Sequence, residues 1–423
     1  MNVIRFVSFL ILSIGLFAQT VFAQTVVNNG NGIVISPGAY LVIGGQYANH
    51  FASQDGFVDN DGNMIVYDDF INNAGNQVFV NIEAVPDGNI ILPSGGQQRI
   101  DGSSPTRFEN LTVSGGTKIL DAAHAFVAGQ FTIAAVFDLN SHLLELEQAS
   151  PGVLNYQSGY LYAETEPAAG LGILRWNIDS QTGTFGVPFG SGLSGQNDLN
   201  VNLTITQPAA GIGSIDFSTY PTTSANSPLP DLVPSLDPFD PEVTVNRFWL
   251  VEARQTLKPS GQLVFSYTEA DIHPMDENTL GAIRFNHDMI VWDDLAPSGT
   301  SNPDANKYTT DLILPEDFYK DWTLTGSVSE DFIYIPNSFS PNGDGANDFF
   351  CPIIGNNEML SEYSFSIFDR WGTQIFSSEK QGEGWDGLFQ GNECMLDVYV
   401  YSFKYRNVKG NLKSVFGKVT VVK

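Results

Sequence analysis

The run from Pro341 to Asp348, Pro-Asn-Gly-Asp-Gly-Ala-Asn-Asp, concentrates the side-chain oxygens a hard cation needs. A calcium loop of the EF-hand kind requires oxygen ligands at its first, third and fifth positions, glycine at the sixth and an acidic residue at the twelfth. Counted from Asn342, Asp344 falls third, but Ala346 falls fifth, Asn347 sixth and Ile353 twelfth. The EF-hand register therefore fails. Two readings stay open. An irregular loop could gather calcium through Asn342, Asp344, Asn347 and Asp348. Alternatively, Asn and Asp stabilise tight turns through their own side chains while Gly343 and Gly345 supply positive φ.

Elsewhere the chemistry is sparser. Asp68-Asp69 and Asp293-Asp294 are the candidate carboxylate pairs for sugar-polymer cleavage, with Arg99, Arg107 and Lys118 as the only Lys or Arg residues of the repeat region 24–166. Glycoside cleavage needs two carboxyl groups facing one bond. Adjacent strand residues point to opposite faces, so neither pair makes such a site by itself, and solvated turns are the favoured reading. His50, His124, His142, His273 and His287 show neither H-x-H nor H-E-x-x-H spacing. No G-x-S-x-G elbow is present. Cys351 and Cys394 are the only cysteines, compatible with one local disulfide or with two free thiols.

The elements that would have to position these residues are strands. The first 23 residues set the context: Arg5, an apolar run from Phe6 to Phe17, and Val21-Phe22-Ala23 before Gln24. This is the pattern of a secretory signal peptide cleaved between Ala23 and Gln24. No later segment is long and apolar enough for a transmembrane helix. The remainder is rich in glycine (41) and proline (22), with 30 phenylalanines, which favours a β-rich exported chain. Acidic residues outnumber basic ones 47 to 19, for a net charge of −28. From Asp331 onward there are 11 acidic and 8 basic residues; the other 36 acidic and 11 basic residues precede it. Such a surface repels nucleic acid, which excludes that class of partner, and attracts cations.

From Gln24 to Glu166, apolar runs of three to five residues ("YLVIG", "MIVYD", "NIILP", "NLTVS", "YLYAE") alternate with Gly, Asn, Asp and Ser. The centres Ile43, Ile65, Ile90, Leu111, Ile133 and Leu154 recur every 21 to 25 residues, and Leu120, Leu139 and Tyr160 form a second set. A period of this size with several short strands is what one coil of a parallel β-solenoid requires, and two-residue hairpin turns are lacking. An ordinary sandwich with short hairpins is the competing reading. Residues 167–327 carry longer alternating strands and read as a β-sandwich region. Six prolines between Pro221 and Pro241 mark either a linker or a strap, with a break expected near 225–240. Short helical turns are expected only around Glu269–Met275 and Pro315–Trp322. Residues 331–423 read as a third unit, a small sandwich of alternating strands.

That last unit resembles a known family. "FIYIPNSFSPNGDGANDFF", "SFSIFDRWGTQIFSS", "GWDGLFQG", "VYVYSFKY" and "FGKVTVVK" follow one another as in the gliding-motility-associated C-terminal domain, the type B sorting domain of type IX secretion cargo in Bacteroidota. Matching positions are Pro336, Asn337, Phe339, Pro341 to Gly345, Asn347, Asp348, Asp369, Arg370, Trp371, Gly372, Trp385, Asp386, Gly387, Gly391, Tyr399 and Gly417. The resemblance implies an immunoglobulin-like sandwich recognised by the outer-membrane machinery after Sec export through the periplasm, with the protein left on the cell surface or in the medium. Cys351 and Cys394 lie outside the pattern. Trp371 and Trp385 are expected to cover the ends of a small core, and Arg370 to pair with Asp369 beside it.

The fold expected is thus all-β: a parallel solenoid (24–166), a central sandwich region (167–327) and an immunoglobulin-like sandwich (331–423). The function expected is that of an exported adhesive or structural protein whose acidic face meets glycans or surface proteins, with calcium as an optional bridge. The alternative is a secreted polysaccharide lyase or hydrolase built on a β-helix.

Overall fold

The computed structural model describes residues 20–82, 86–121, 123–165, 167–192, 196–207, 211, 213–254, 257–272, 275–294, 299–326, 333–343, 347–354, 360–406 and 412–422, without the side chains of 20–23, 207, 294 and 361. Among them every extended element is a strand, and the only helical pieces are single 3-10 turns such as Glu269–Asp271 and Pro315–Asp317. No described helix is long and apolar enough to cross a membrane. The all-β expectation and the parallel solenoid are both borne out.

Short runs with every second side chain buried, as in Phe57–Asn60 and Asn89–Leu92, can cover one side of a sheet but cannot close a core alone. Here they stack. Two faces of the solenoid are parallel sheets of seven strands each, running from Thr20–Ala23 to Leu154–Tyr156 and from Val26–Asn29 to Tyr160–Tyr162. The third face begins as Gly32–Ile35, Phe57–Asn60 and Phe79–Val80 and resumes as Thr106–Phe108, Ala125–Val127, Leu143–Leu146 and Ile173–Asn177. Register places like on like: Leu41, Met64, Ile90, Leu111, Phe131 and Leu154 form one inward column. Tyr47, Phe70, Ile100 and Leu120 form another.

The period read from the sequence is right and its phase is not. Ile65 pairs with Val42 and Ile91 in an outward column, and Tyr160 pairs with Val136, not Leu139. Corner loops differ in length, so a fixed spacing drifts, and a drift of one residue reverses the face.

Asn28, Asn49 and Asn72 align as a buried amide ladder on the second face. Asn49 Nδ2 donates to Gly56 O at 2.8 Å, and Asn72 Nδ2 to Asn76 O at 2.8 Å and Pro105 O at 2.9 Å. Carbonyls of the corners, which no neighbouring strand can satisfy, are thereby bonded. Gly102 ends the ladder, because a Cβ there would collide with the backbone of Asn72.

The solenoid does not end in an open coil. Ile173–Asn177 pairs in parallel with Leu143–Leu146 on one side and antiparallel with Ser214–Pro221 on the other. The third face thus continues into Arg247–Ala253, Asp321–Thr325, Gly281–Asn286 and Val291–Asp294, one sheet of nine strands. A five-stranded antiparallel sheet led by Gly183–Val187 packs across it through Trp176–Phe185 (5.3 Å), Trp249–Phe265 (5.0 Å) and Phe265–Trp322 (5.9 Å) ring contacts. One hydrophobic core runs from Ile35 to Leu324. The proline-rich residues 222–236 form a strap along this body. Trp292 Nε1 donates to Ser235 O and Asn226 Nδ2 to Val245 O, each at 2.9 Å.

The chain divides into two compact units, Met1–Leu236 with Pro241–Gly326 and Asp237–Asp240 with Ser327–Lys423. The second has its own core around a five-stranded sheet, in the order Ser338–Phe339, Leu412–Val421, Val398–Arg406, Ser361–Phe368, Gln374–Ser378.

Candidate functional site

Most of the residues that could do chemistry in the first unit are engaged in holding its corners, while Asp68 contributes its backbone carbonyl. Asp69 Oδ1 accepts Arg99 N at 2.7 Å, and Asp68 O accepts Gln98 Nε2 at 2.6 Å. Arg99 pairs with Asp121, and Arg107 bonds Glu147 through Nε at 2.8 Å. Lys118 is buried with Nζ on Ser94 O at 2.9 Å, and that burial lowers its ammonium to about 8. Asp293 lies opposite Arg284 in register, and the Asp294 side chain lies outside the description. His124 and His142 pack edge to face at 6.1 Å, and His287 Nε2 meets Asp321 at 2.7 Å. His50 closes a strand of the second face, and His273 lies outside the described residues. Among the described residues no group of three His, Cys, Asp or Glu is placed to hold a metal ion.

Two charged centres escaped sequence reading. Arg247 is 2% exposed and bonds Glu164 (2.8 Å) and Asp271 (3.0 Å), which come from chain segments far away in sequence. Glu109 is 3% exposed, and burial, opposed by a bond from Gly88 N and reinforced by Asp87, Asp61 and Asp59, raises its carboxyl to about 7. Contacts this non-local leave no spacing signal.

In the second unit the motif residues converge from four chain segments on Trp385. Its indole lies 5.2 Å from the Phe339 ring and 5.0 Å from Tyr399, while Phe350 stacks on Phe339 at 5.7 Å. Trp385 is fully buried and its Nε1 donates to Leu388 O at 2.9 Å. Backbone bonds in both directions tie Trp385 to Phe350, at 2.8 and 2.9 Å. Asp386 Oδ1 accepts Leu388 N, which turns the chain out of the bridge. Gly387 has φ +77°, and a Cβ on it would stand 2.7 Å from Pro341 Cγ, so glycine is required twice over. Gln390 (φ +52°) and Gly391 (φ +79°) form the two-residue loop between Leu388–Phe389 and Asn392–Glu393, as a type I′ hairpin demands. Gly417 lies opposite Tyr401, and a Cβ there would collide with the phenol. Pro336 leads into Asn337, whose carbonyl accepts Thr420 N at 2.9 Å and starts the Ser338–Phe339 edge.

Asp369-Arg370-Trp371-Gly372 is the tip of the hairpin between Ser361–Phe368 and Gln374–Ser378. Asp369 Oδ1 accepts Trp371 N and Thr373 N at 2.8 Å each, and Gly372 has φ +82°. Backbone N–H groups, Thr373 foremost, hold the Asp369 carboxyl below the usual range. Two expectations are corrected here. Trp371 does not cover the core; it is 85% exposed, because the turn that Asp369 fixes lifts it off the sheet. Arg370 does not pair with Asp369, whose oxygen is engaged by the turn, but with Asp397. Between this tip and the Leu388–Glu393 hairpin lies an open groove of about 390 Å³, lined by Arg370, Trp371, Ile375, Phe389, Met395 and Tyr399. Met395 on its rim is 81% exposed, and Tyr399 Oη donates to Met395 O at 2.9 Å.

In the Asn/Gly/Asp loop, Asp348 Oδ1 accepts Gly343 N at 2.6 Å and Asn342 N at 3.1 Å. Gly343 and Asn347 both have positive φ, +76° and +53°. The carboxylate thus staples a turn. Asp344 and Gly345 lie outside the described residues. Cys351 and Cys394 are free, half-buried thiols whose pKa values burial raises; no bridge joins them.

Comparison with curated proteins returns no match to the chain. Residues 333–419, which hold every motif residue named above, match the family model of the CHU_C type IX secretion signal domain, and the chain accordingly carries a type IX export signal at its C-terminal end.

Proposed function

We propose that this is a cell-surface or secreted protein of adhesive or structural role, made with a signal peptide cleaved after Ala23, which removes the Thr20–Ala23 strand and leaves Tyr40–Ile43 as the first of its face, and passed through the periplasm to the type IX machinery. The groove beside Trp371 is the part of the sorting domain that the machinery reads. The observation that carries this reading is Trp371 itself: a tryptophan held 85% exposed by a fixed turn, within the matched region, contributes nothing to the core. Exposed aromatic anchors beside a groove are what protein recognition uses. Upstream, the flat outer faces of the solenoid are the display surface for glycans or surface proteins, and the domain that follows Ser327 is the label.

In the native host, deletion of residues 333–423 is expected to leave the protein in the periplasm. Trp371→Ala is expected to do the same to most of it without altering its unfolding. Normal surface delivery of the deletion would refute the sorting role; normal delivery of Trp371→Ala alone would move recognition to another face.

A further inference from the structure

The last strands reverse the charge of the chain. Residues 398–423 contain six basic residues and no acidic one, in a chain of net charge −28; among the described ones Lys404 and Lys418 stand on the outer face, and Arg406 pairs with Glu362. On the outer face of the five-stranded sheet, Phe368, Val400 and Lys418 align across strands, followed by Ser366, Ser402 and Phe416 and then by Ser364, Lys404 and Ser414. Their alternate neighbours Phe365, Ile367, Tyr401 and Phe403 fill the core, whereas Val400, Phe416, Lys404 and Lys418 are exposed. The second face of the solenoid is also a sheet, and its outward side carries the partly exposed Asp69, Asp101 and Asp121, the last paired with Arg99.

We propose that the basic outer face of the C-terminal sheet in one copy docks on the acidic outer face of the solenoid in a second copy. Two sheets packed face to face stack at about 10 Å. Opposite charge selects this pairing, while the net charge of the chain opposes every other approach of two copies. The two faces differ, so the contact is heterologous and leaves one of each exposed, which lets copies add head to tail.

The test is sedimentation velocity on the full chain. At about 20 mM salt the mean mass is expected to exceed one chain and to rise with concentration, returning to one chain at about 500 mM. Lys404→Glu with Lys418→Glu is expected to leave a single chain at low salt, and the milder Lys404→Gln with Lys418→Gln to weaken association. Adding Asp101→Lys, which leaves the Arg99–Asp121 pair in place, to the Glu variant is expected to restore part of it. A single chain at low salt throughout would overturn the proposal, as would association indifferent to these changes. It also falls if salt alters shape but not mass, or if only an added anionic polymer is bound.

Discussion

Trp371 and Trp385 belong to the same motif set and occupy opposite surroundings, so their loss has opposite signatures. Trp385→Ala opens a cavity among Phe339, Phe350 and Tyr399 and is expected to lower the stability of the C-terminal unit by about 3–5 kcal/mol. Trp371→Ala is expected to stay within about 0.5 kcal/mol, and denaturant unfolding of the two variants checks both. Sequence identified these tryptophans as a pair but could not tell them apart. Exposure at a hairpin tip depends on the turn, and that turn is fixed by bonds from Asp369. The glycines were more legible, because a positive φ leaves few alternatives. At Glu109 the fold raises the carboxyl from 4.5 to about 7, so the folded state prefers the proton. Stability from this group is full below about 4.5 and is lost as pH rises through about 7, since the unfolded chain ionises first. Glu109→Gln removes that dependence. The stability difference between variant and parent is expected to grow in favour of the variant by up to about 3 kcal/mol between pH 4 and 8, as read by urea midpoints.

At the level of elements, the solenoid was legible because each coil repeats the same need, an apolar side chain at each face every 20 to 30 residues. The phase was not, because corner loops absorb insertions without leaving a mark on the apolar pattern. The amide ladder did leave one: Asn28, Asn49 and Asn72 recur at the coil period, a signal visible in the sequence once polar columns are counted along with apolar ones. The join between solenoid and sandwich depends on Arg247, which links the segment after the last solenoid rung, through Glu164, to the Glu269–Asp271 turn, through Asp271. Removing one member of a buried ionic group leaves the others uncompensated. Arg247→Ala is therefore expected to cost about 3–5 kcal/mol of the first unit's stability, with little relief from added salt, measurable by denaturant titration at two ionic strengths.

For the whole molecule, the nine-stranded sheet makes solenoid and sandwich share one core, whereas the C-terminal unit has another. Calorimetry is expected to resolve two transitions, and removal of residues 333–423 to abolish one while leaving the midpoint of the other in place. Sequence reading divided residues 24–327 near 166 because the repeat ends there. It could not see that strand pairing passes through Ile173–Asn177 without interruption, since a change from parallel to antiparallel partners leaves the strand's own residues unaltered. That sheet also sets an order of events. Solenoid coils rest on neighbours about twenty residues away and can form early, because short loops close fastest. The sheet is completed only by Asp321–Thr325, which slots between Arg247–Ala253 and Gly281–Asn286. The matched export signal starts at residue 333, a few residues further on. A chain still being made thus acquires its address only after the last piece of its body exists, so an unfinished cargo has nothing to show the exporter.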